Sequence, residues 1–300
     1  MKTIRLWCQA MRARFFVTAF IAVMVGAAVS HGEQQIHWGY FLLALLVVVA
    51  SQAGANMIND FFDALGSDRI NQNHTPFNGG SRLIQLGLLN RSQFLAGAIW
   101  AYTTSLLVAL GLAFQRHNWL IFWVALVGAL LGIAYSARPT FGMGRVWGEL
   151  ATGIGFGPLA VLGSYMVQTG HFAWKAMMAG VPVGFMIMGV LLLNQIPDYE
   201  ADRKSNKRTW VVRSYGCSRG LGVYMVVITL AYLAIFIGVI TEMLPPGILI
   251  SYASVPLAVW VVLKTWCSES RVPEMIPALA GNIGLSILTG LLLSIGLWWR

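Results

Sequence analysis

Apolar residues along the chain fall in runs long enough to cross a lipid bilayer, and polar residues are confined mainly to the segments between them. A membrane-spanning helix needs about 20 predominantly apolar residues. The pattern predicts about nine such helices, at residues 15–30, 39–58, 92–114, 119–136, 146–167, 176–196, 220–240, 248–266 and 276–298. Glycine and proline also occur inside these runs, which membrane helices tolerate. We therefore expect an all-α, polytopic membrane protein in which residues 1–300 form one helical domain.

The basic residues indicate how the spans are oriented. If the N-terminus lies in the cytoplasm, every Lys and Arg falls on the cytoplasmic side except Arg116, Lys175 and Arg300. Cytoplasmic segments of membrane proteins are enriched in Lys and Arg. The distribution therefore predicts a cytoplasmic N-terminus, an odd number of spans and a multi-pass protein of the inner cell membrane. The first span has only a weak small-residue cleavage site and is interpreted as a retained helix rather than a signal peptide.

The composition agrees with this class and excludes others. The chain is 57% hydrophobic and 10% charged, whereas a soluble domain carries roughly 25% charged residues. Its three cysteines lie far apart and form no paired motif, so we expect neither a zinc site nor a disulfide framework. The net charge of +9 arises in short loops between apolar runs, where basic residues set topology and contact anionic lipid. We therefore expect membrane lipid as a partner and no nucleic acid.

All five aspartates fall in two short segments, at the predicted cytoplasmic ends of the second and sixth spans. A carboxylate is costly near a bilayer, so chance does not explain two such clusters. The offset of 135 residues between Asn59 and Asn194 covers four helices, which predicts a pseudo-repeat of helices 1–4 and 5–8. Within each segment, residues four apart share one helix face. The first segment contains Asn59, Asp60, Asp63 and Asp68, and the second contains Asn194, Asp198 and Asp202.

Two facing acidic clusters would repel each other unless a cation lies between them. Mg²⁺ prefers oxygen ligands and usually binds one or two carboxylates together with a substrate phosphate. Basic side chains close to the acids would bind phosphate oxygens directly. These basic residues are Arg69, Arg82, Lys204, Lys207 and Arg208. A phosphate site at the rim of an apolar bundle indicates a substrate with an anionic head and an apolar tail, such as a polyprenyl diphosphate.

Departure of a diphosphate would leave an allylic cation, which has to be shielded from water and held near aromatic faces. Phe61, Phe62, Tyr135 and Tyr199 lie in or near the polar segments and are candidates for that role. Residues 64–91 form a loop too long for a plain connection. Loops of this length often act as lids, so we expect this one to close over the diphosphate.

These motifs strongly resemble the signatures of the UbiA superfamily of intramembrane prenyltransferases. Asn59-Asp60-Phe-Phe-Asp63 is similar to the first signature, and the spacing of Asn194 to Asp198 is similar to the second. The segment that follows Asp202 resembles the branch that prenylates naphthoate, although Asn replaces the usual Gly at position 206. Further resemblance to that branch lies in Gly79-Gly80-Ser81-Arg82 and in Tyr135-Ser-Ala-Arg138-Pro139.

The resemblance implies a nine-span bundle around a central cavity, in which the acidic segments bind Mg²⁺ and a polyprenyl diphosphate. It implies transfer of the polyprenyl chain to an aromatic acceptor, which in this branch is 1,4-dihydroxy-2-naphthoate in menaquinone biosynthesis. The expected metal ligands and catalytic residues are Asp63, Asp68, Asp198 and Asp202. The residues expected to orient the metal, the diphosphate or the acceptor are Asn59, Asp60, Asn194, Arg69, Arg82, Arg138, Lys204 and Arg208.

Several alternatives stay open. Asn56 and Asp60 are also four residues apart, so the first motif has two possible registers, Asn56/Asp60 and Asn59/Asp63. The acidic motifs are equally compatible with another acceptor or with a UbiA-type terpene cyclase. An ion-coupled transporter, a protein of a different class, also places acids in a repeat-built bundle, but near the middle of the membrane. Glu149 is compatible with a helix-capping role as well as with a role at the acceptor.

Overall fold

A computed structural model of the chain describes residues 2–136, 147–214, 216–268 and 271–299. Those ranges are predominantly helical and contain no β-strand, which confirms the predicted all-α class. The α-helices are, in chain order, α1 (Lys2–Ala10), α2 (Phe16–His31), α3 (Trp38–Asp63), α4 (Ser67–Ile70), α5 (Arg91–Gln115), α6 (Leu120–Ser136), α7 (Gly148–Ile154), α8 (Ala160–Thr169), α9 (Trp174–Lys204), α10 (Trp210–Arg213), α11 (Cys217–Ile240), α12 (Val255–Cys267) and α13 (Val272–Trp298).

Eight helical segments in the described ranges are long and apolar enough to cross a membrane. They are α2 with the turn before it, α3, α5, α7 together with α8, α9, α11, α12 with the turn before it, and α13. Helix α6 is also apolar but has only 17 residues. The count of nine spans therefore stays a prediction, as does the cytoplasmic N-terminus.

The fifth predicted span, 146–167, is not one continuous α-helix. A π-helical turn at Gly155–Leu159 separates α7 from α8 and contains Pro158. Proline has no backbone N–H to donate, and a wider turn accommodates that loss. The turn also packs closely on α9, because a Cβ added at Gly157 would lie 2.5 Å from Gly184 Cα. The eighth predicted span likewise begins as a 3₁₀ helix, Pro246–Ser254, before α12.

Helices α3 and α9 form the centre of the bundle. Helix α3 packs against α2, α5 and α6, while α9 packs against α7, α11 and α13. Helix α3 ends at Asp63 and α9 ends at Lys204, so each C-terminus carries one of the acidic motifs. Side chains connect the two ends directly, since Lys207 Nζ lies 2.6 Å from Asp63 Oδ2. The fold therefore brings together two motifs that lie far apart in the sequence.

The amphipathic helix α1 precedes the first span and was not expected from the apolar runs. Ala10 is fully buried, and Leu6 and Trp7 pack onto a cluster that includes Met57 and Phe94. These contacts hold the N-terminal segment against α3 and α5, close to the first acidic motif.

Candidate active site

A cavity of about 250 Å³ lies between the helices and is polar at the end where the two motifs meet. Its lining includes six of the seven acidic and amide residues expected from the two motifs, namely Asn59, Asp63, Asp68, Asn194, Asp198 and Asp202. The lining continues along α5 as far as Leu112. Arg91, at the opposite end of α5, donates to the Phe61 carbonyl beside the first motif. On α3 the lining runs from Ala44 to Asp63, so at a rise of about 1.5 Å per residue the cavity reaches roughly 28 Å into the bundle.

The acids occupy an unfavourable electrostatic position. Asp63 and Asp202 are only 4% and 2% exposed, and they lie at the C-terminal ends of α3 and α9. The C-terminus of a helix carries partial negative charge, which disfavours carboxylates there. Among the described lining residues, the positive side chains are Arg12 and Lys207, against four aspartates. The site therefore carries more negative charge than its own cations neutralise.

The first motif presents Asn59 and Asp63 to the cavity. Asn59 Nδ2 donates to Asp63 Oδ2 over 3.0 Å, as their four-residue spacing on α3 predicts. Asp60 is held differently, since it forms an ion pair with Arg12 and accepts a hydrogen bond from the Ser81 backbone N–H at 2.9 Å. Asp60 is not among the described residues of the cavity lining. This geometry favours the Asn59/Asp63 register.

Asp68 reaches the same cavity from the short helix α4. Burial, and then the nearby carboxylates of Asp63 and Asp60, raise the pKa of Asp68 to about 7. Arg82 is bonded to the Asp68 backbone, because its Nη1 donates to the Asp68 carbonyl oxygen. The raised pKa therefore reflects burial of Asp68 first, and the neighbouring carboxylates second.

The second motif is held by two amides that sequence reasoning missed. Asp198 Oδ1 accepts hydrogen bonds from Asn71 Nδ2 and Asn78 Nδ2, each at 2.5 Å. Both amides belong to the 64–91 loop, whose Ser81 also donates to Asp60. The loop therefore connects the two motifs and forms part of the cavity wall. The asparagines of this loop could have indicated contacts with the second motif, but asparagine is common in turns for purely local reasons.

Lys207 lies between the two motifs. Its Nζ is 2.6 Å from Asp63 Oδ2 and 3.9 Å from Asp202 Oδ1. Burial alone would lower the pKa of Lys207, but Asp63 and Asp202 outweigh burial and raise the pKa well above its usual value. A tight turn directs this side chain inward, with the Lys207 N–H donating to the Asp202 carbonyl at 2.8 Å. Asn206 has a φ of +61°, a conformation that Gly and Asn adopt most readily, which explains how Asn fits at that position.

Five basic residues expected at the phosphate or the acceptor are not among the described residues of the cavity lining. One of them, Arg82, is half-buried and bonded to the Asp68 carbonyl instead. Arg69, Lys204 and Arg208 have exposed side chains, and the described cavity lining does not include them. Arg138 lies outside the described residues, as does Arg145. Within the described ranges, the basic groups that line the cavity come from Arg12 and Lys207 instead.

Of the four aromatic residues expected near an allylic cation, one lines the described part of the cavity. Tyr135 lines the cavity, but the described lining does not include Phe61, Phe62 or Tyr199. Phe61 packs instead against the guanidinium of Arg91, whose Cζ is 4.3 Å from the ring centroid. The aromatic side chains of the described lining are Phe15, Phe77, Tyr135 and Phe156.

Glu149 connects segments next to the second motif by hydrogen bonds. It is 3% exposed and accepts hydrogen bonds from Gln195 Nε2 at 2.9 Å and from the Trp210 backbone N–H at 3.0 Å. These bonds connect the start of α7 to α9 and to the segment that follows Lys207. Glu149 therefore helps to fix the position of the second motif through these two hydrogen bonds.

No group of three or more His, Cys, Asp or Glu side chains in the described ranges is arranged as a preformed metal site. The carboxylates share one cavity, but the ammonium of Lys207 stands between Asp63 and Asp202. A divalent cation would therefore need further ligands, and a substrate phosphate is the usual source for Mg²⁺.

Known proteins of one family match this chain over most of its length. The sequence model of the UbiA prenyltransferase family matches residues 19–296. The chain is 26% identical over 299 residues to the 2-carboxy-1,4-naphthoquinone phytyltransferase of Synechocystis sp., covering 99% of this chain and 94% of that protein. It is 25% identical over 293 residues to the 1,4-dihydroxy-2-naphthoate octaprenyltransferase of Bacillus subtilis, covering 97% and 91% respectively.

Solved structures share the fold. A UbiA homolog from Aeropyrum pernix superposes with a TM-score of 0.72 at 16% sequence identity, covering 93% of this chain and 97% of that chain. A UbiA homolog from Archaeoglobus fulgidus, bound to DMAPP and Mg²⁺, superposes with a TM-score of 0.66 at 17% identity, covering 96% and 99%.

Proposed function

The chain belongs to the UbiA prenyltransferase family, and from that membership we propose that it transfers a polyprenyl chain from polyprenyl diphosphate to 1,4-dihydroxy-2-naphthoate in menaquinone biosynthesis. It is a prenyltransferase with multiple apolar helices typical of a multi-pass membrane protein. The naphthoate acceptor is supported by the names of relatives that match nearly the whole chain. We place the protein in the inner cell membrane with both acidic motifs on the cytoplasmic side, as the distribution of Lys and Arg favours.

The observation that carries this proposal is the meeting of both acidic motifs in one cavity that continues into an apolar channel. Four aspartates line its polar end, and Leu112, Ile121 and Val167 line its apolar part. A diphosphate fits the first region when cations accompany it, and a long hydrocarbon fits the second. A substrate that joins both parts in one molecule is a polyprenyl diphosphate.

The acidic donor set suits Mg²⁺. Asp63, Asp68, Asp198 and Asp202 offer only oxygen ligands, and their negative charge exceeds the charge of the cations beside them. We propose that these four residues hold the metal, while Asn59 and Asn194 orient the metal or the diphosphate. When bound, Mg²⁺ neutralises diphosphate charge and makes the group a better leaving group. The Archaeoglobus homolog that binds DMAPP and Mg²⁺ supports this assignment.

Residues that line the cavity would bind the phosphate, stabilise the allylic cation and keep water away from the diphosphate. Lys207, which lines the cavity between the motifs, is better placed for phosphate oxygens than the exposed Lys204 and Arg208. Tyr135 and Phe156 line the same cavity and would present ring faces to an allylic cation. The loop carrying Asn71 and Asn78 would shield the diphosphate from water by staying bonded to Asp198. Attack by the electron-rich ring of the acceptor on the allylic carbon would then form the new C–C bond, with the diphosphate as the leaving group and the ring carboxylate lost as CO₂ to restore the aromatic ring.

The direct test uses purified protein in lipid nanodiscs, Mg²⁺, one labelled polyprenyl diphosphate and a panel of acceptors. We expect Mg²⁺-dependent formation of prenylated naphthoquinol product and a loss of at least a hundredfold in Asp198→Asn. Glu200→Gln is the matched control, because Glu200 lies on the same helix but has an exposed side chain. Full activity in Asp198→Asn would contradict the metal assignment. Product from the diphosphate alone would instead indicate a terpene cyclase, and product with another acceptor would correct the acceptor.

A further inference from the structure

Arg12 reaches the site from the N-terminal segment, where its charge was expected to serve only membrane topology. Its Nη2 donates to Asn59 Oδ1 at 2.9 Å and forms an ion pair with Asp60. Its side chain is 17% exposed and lines the cavity. Arg12 is thus a positive group of the cavity wall, in direct contact with both polar residues that open the first motif.

The segment that carries Arg12 is held in place by side-chain amides. Asn56 Nδ2 donates to the Met11 carbonyl at 2.9 Å, and Gln52 Nε2 donates to the Phe15 carbonyl at 3.1 Å. On the other side, Gln9 Nε2 donates to the Ser81 carbonyl at 3.0 Å. Arg12 itself has a φ of +51°, a conformation that is costly for a residue with a side chain. Anchors on both sides of a strained residue fix the position of its guanidinium.

The guanidinium has donors that these contacts do not use. Both bonds to Asn59 and Asp60 come from Nη2, whereas Nε is buried and has no hydrogen-bond partner within the described part of the chain. A buried donor that lacks a partner is unfavourable and rare in native proteins. An ion pair with Asp60 alone would not require this geometry, since a lysine would supply the same charge. Arg12 therefore uses only part of its donor capacity on the first motif, and the side chain retains an exposed fraction in the lining of the cavity.

We propose that Arg12 is a substrate-binding residue that takes an anionic oxygen group, either a phosphate of the prenyl donor or the carboxylate of the acceptor. The planar fork of arginine donors matches phosphate and carboxylate oxygens in pairs. The residue also places positive charge on a cavity wall where four aspartates would otherwise repel an anionic substrate. This inference rests on the proposed function, because both anions belong to the proposed substrates.

The test compares Arg12→Lys with Arg14→Lys. Both substitutions conserve charge and leave the positive-inside signal unchanged, and the Arg14 side chain is exposed in the same segment. Binding of geranylgeranyl thiolodiphosphate, which does not ionise readily, is measured with Mg²⁺ by calorimetry. The KM for the acceptor is measured with 1,4-dihydroxy-2-naphthoate and with 1,4-dihydroxynaphthalene, which lacks the carboxylate. Thermal unfolding of each variant reports folding.

We expect Arg12→Lys to remain folded and to lose about tenfold in one of the two measurements, while Arg14→Lys stays within twofold of wild type. Weaker binding of the thiolodiphosphate assigns Arg12 to the donor phosphate. A raised KM for the naphthoate, absent with the carboxylate-free acceptor, assigns it to the acceptor carboxylate. Wild-type values in both measurements, or equal losses in the two variants, overturn the proposal. If wild type itself fails to bind the thiolodiphosphate with Mg²⁺, the proposed function fails instead.

If Arg12→Lys proves unstable, the role is tested in wild-type protein. Inorganic diphosphate with Mg²⁺, or 1,4-dihydroxy-2-naphthoate, should then protect the backbone amides of residues 9–15 from hydrogen exchange by at least fivefold. Unchanged exchange in that segment with both ligands would overturn the proposal.

Discussion

Removing the ammonium of Lys207 should tighten the binding of a divalent metal while weakening the binding of the diphosphate. Lys207 Nζ lies 2.6 Å from Asp63 Oδ2 and 3.9 Å from Asp202 Oδ1, where a metal shared by the two motifs would also be attracted. The ammonium and the metal therefore compete for the same carboxylates. Once a phosphate is present, Lys207 gains a new partner and the competition ends.

The magnitude follows from these distances. At an effective dielectric constant of about 20, the two ion pairs are worth about 6 and about 4 kcal/mol in Coulomb energy. Hydration of the displaced ammonium offsets most of that Coulomb energy. The net cost that Lys207 adds to metal binding is then about 1.4 kcal/mol, which corresponds to a factor of ten in Kd. Lys207→Met should therefore bind Mn²⁺ alone about tenfold more tightly than wild type. With inorganic diphosphate present, its affinity for the Mn²⁺–diphosphate complex should fall by a similar factor.

The assay counts free Mn²⁺ by electron paramagnetic resonance during titration, with and without inorganic diphosphate. Lys204→Met is the control, because Lys204 has an exposed side chain in the same segment. Lys207→Met should also be less stable without metal, by about 3 kcal/mol for a largely buried ion pair, and Mn²⁺ should restore that stability. Unchanged or weaker Mn²⁺ binding in Lys207→Met would refute the reasoning, since no competition would then exist.

Two further predictions concern the channel and the opposite end of the bundle. Gly163 lines the cavity, and among the described residues a Cβ added there meets only Val124 Cγ1, at 3.6 Å. Gly163→Leu should therefore project into the channel and lower kcat/KM for long prenyl donors about tenfold more than for short ones. The control Gly111→Leu, on an exposed face of α5, should not discriminate between the donors, and equal effects of Gly163→Leu on both donors would contradict the channel. Burial opposes ionisation of Glu33, but hydrogen bonds from Lys175 and Tyr165 outweigh it and lower the Glu33 pKa below its ordinary value. The stability from Glu33 is therefore fully present above a pH of about 4.3 and is lost as the pH falls through the lower folded-state pKa. Glu33→Gln should lower the melting temperature at pH 7, and the difference from wild type should shrink as the pH falls below about 4.3. A difference that does not depend on pH would exclude this cause.

The sequence predicts the fold class and the polar end of the cavity because those features depend on local patterns. Apolar runs mark the helices, and the spacing of Asn59 to Asp63 and of Asn194 to Asp198 predicts which side chains share a face. The cavity lining contains all four of these residues. Such patterns predict helix faces without any knowledge of how the helices pack.

The cations of the site could not be assigned from sequence because their positions depend on turns and on long-range contacts. Lys204, Lys207 and Arg208 are close together in the sequence, and only the left-handed turn at Asn206 brings Lys207 rather than its neighbours to Asp63. Arg12 resembles any arginine that precedes a first span until α3 is packed beside it. Loop segments have no helical period from which such directions can be predicted.

The interruption of the fifth span has a similar origin. Pro158 alone permits either a kinked α-helix or a wider turn. The close approach of Gly157 to Gly184 of α9 accompanies the π-helical turn that the structure contains. That approach depends on packing between helices, which the sequence pattern does not report.

The central claim is that the ends of α3 and α9 form a single site for divalent cations and a diphosphate. Its most direct test is the anomalous diffraction signal of Mn²⁺ in crystals of the protein grown with geranylgeranyl thiolodiphosphate. We predict Mn²⁺ peaks inside the cavity, bridged by the diphosphate and in contact with at least one of Asp63 and Asp68 and one of Asp198 and Asp202. Mn²⁺ bound outside the cavity, or a diphosphate that contacts only one of the two motifs, would contradict the claim.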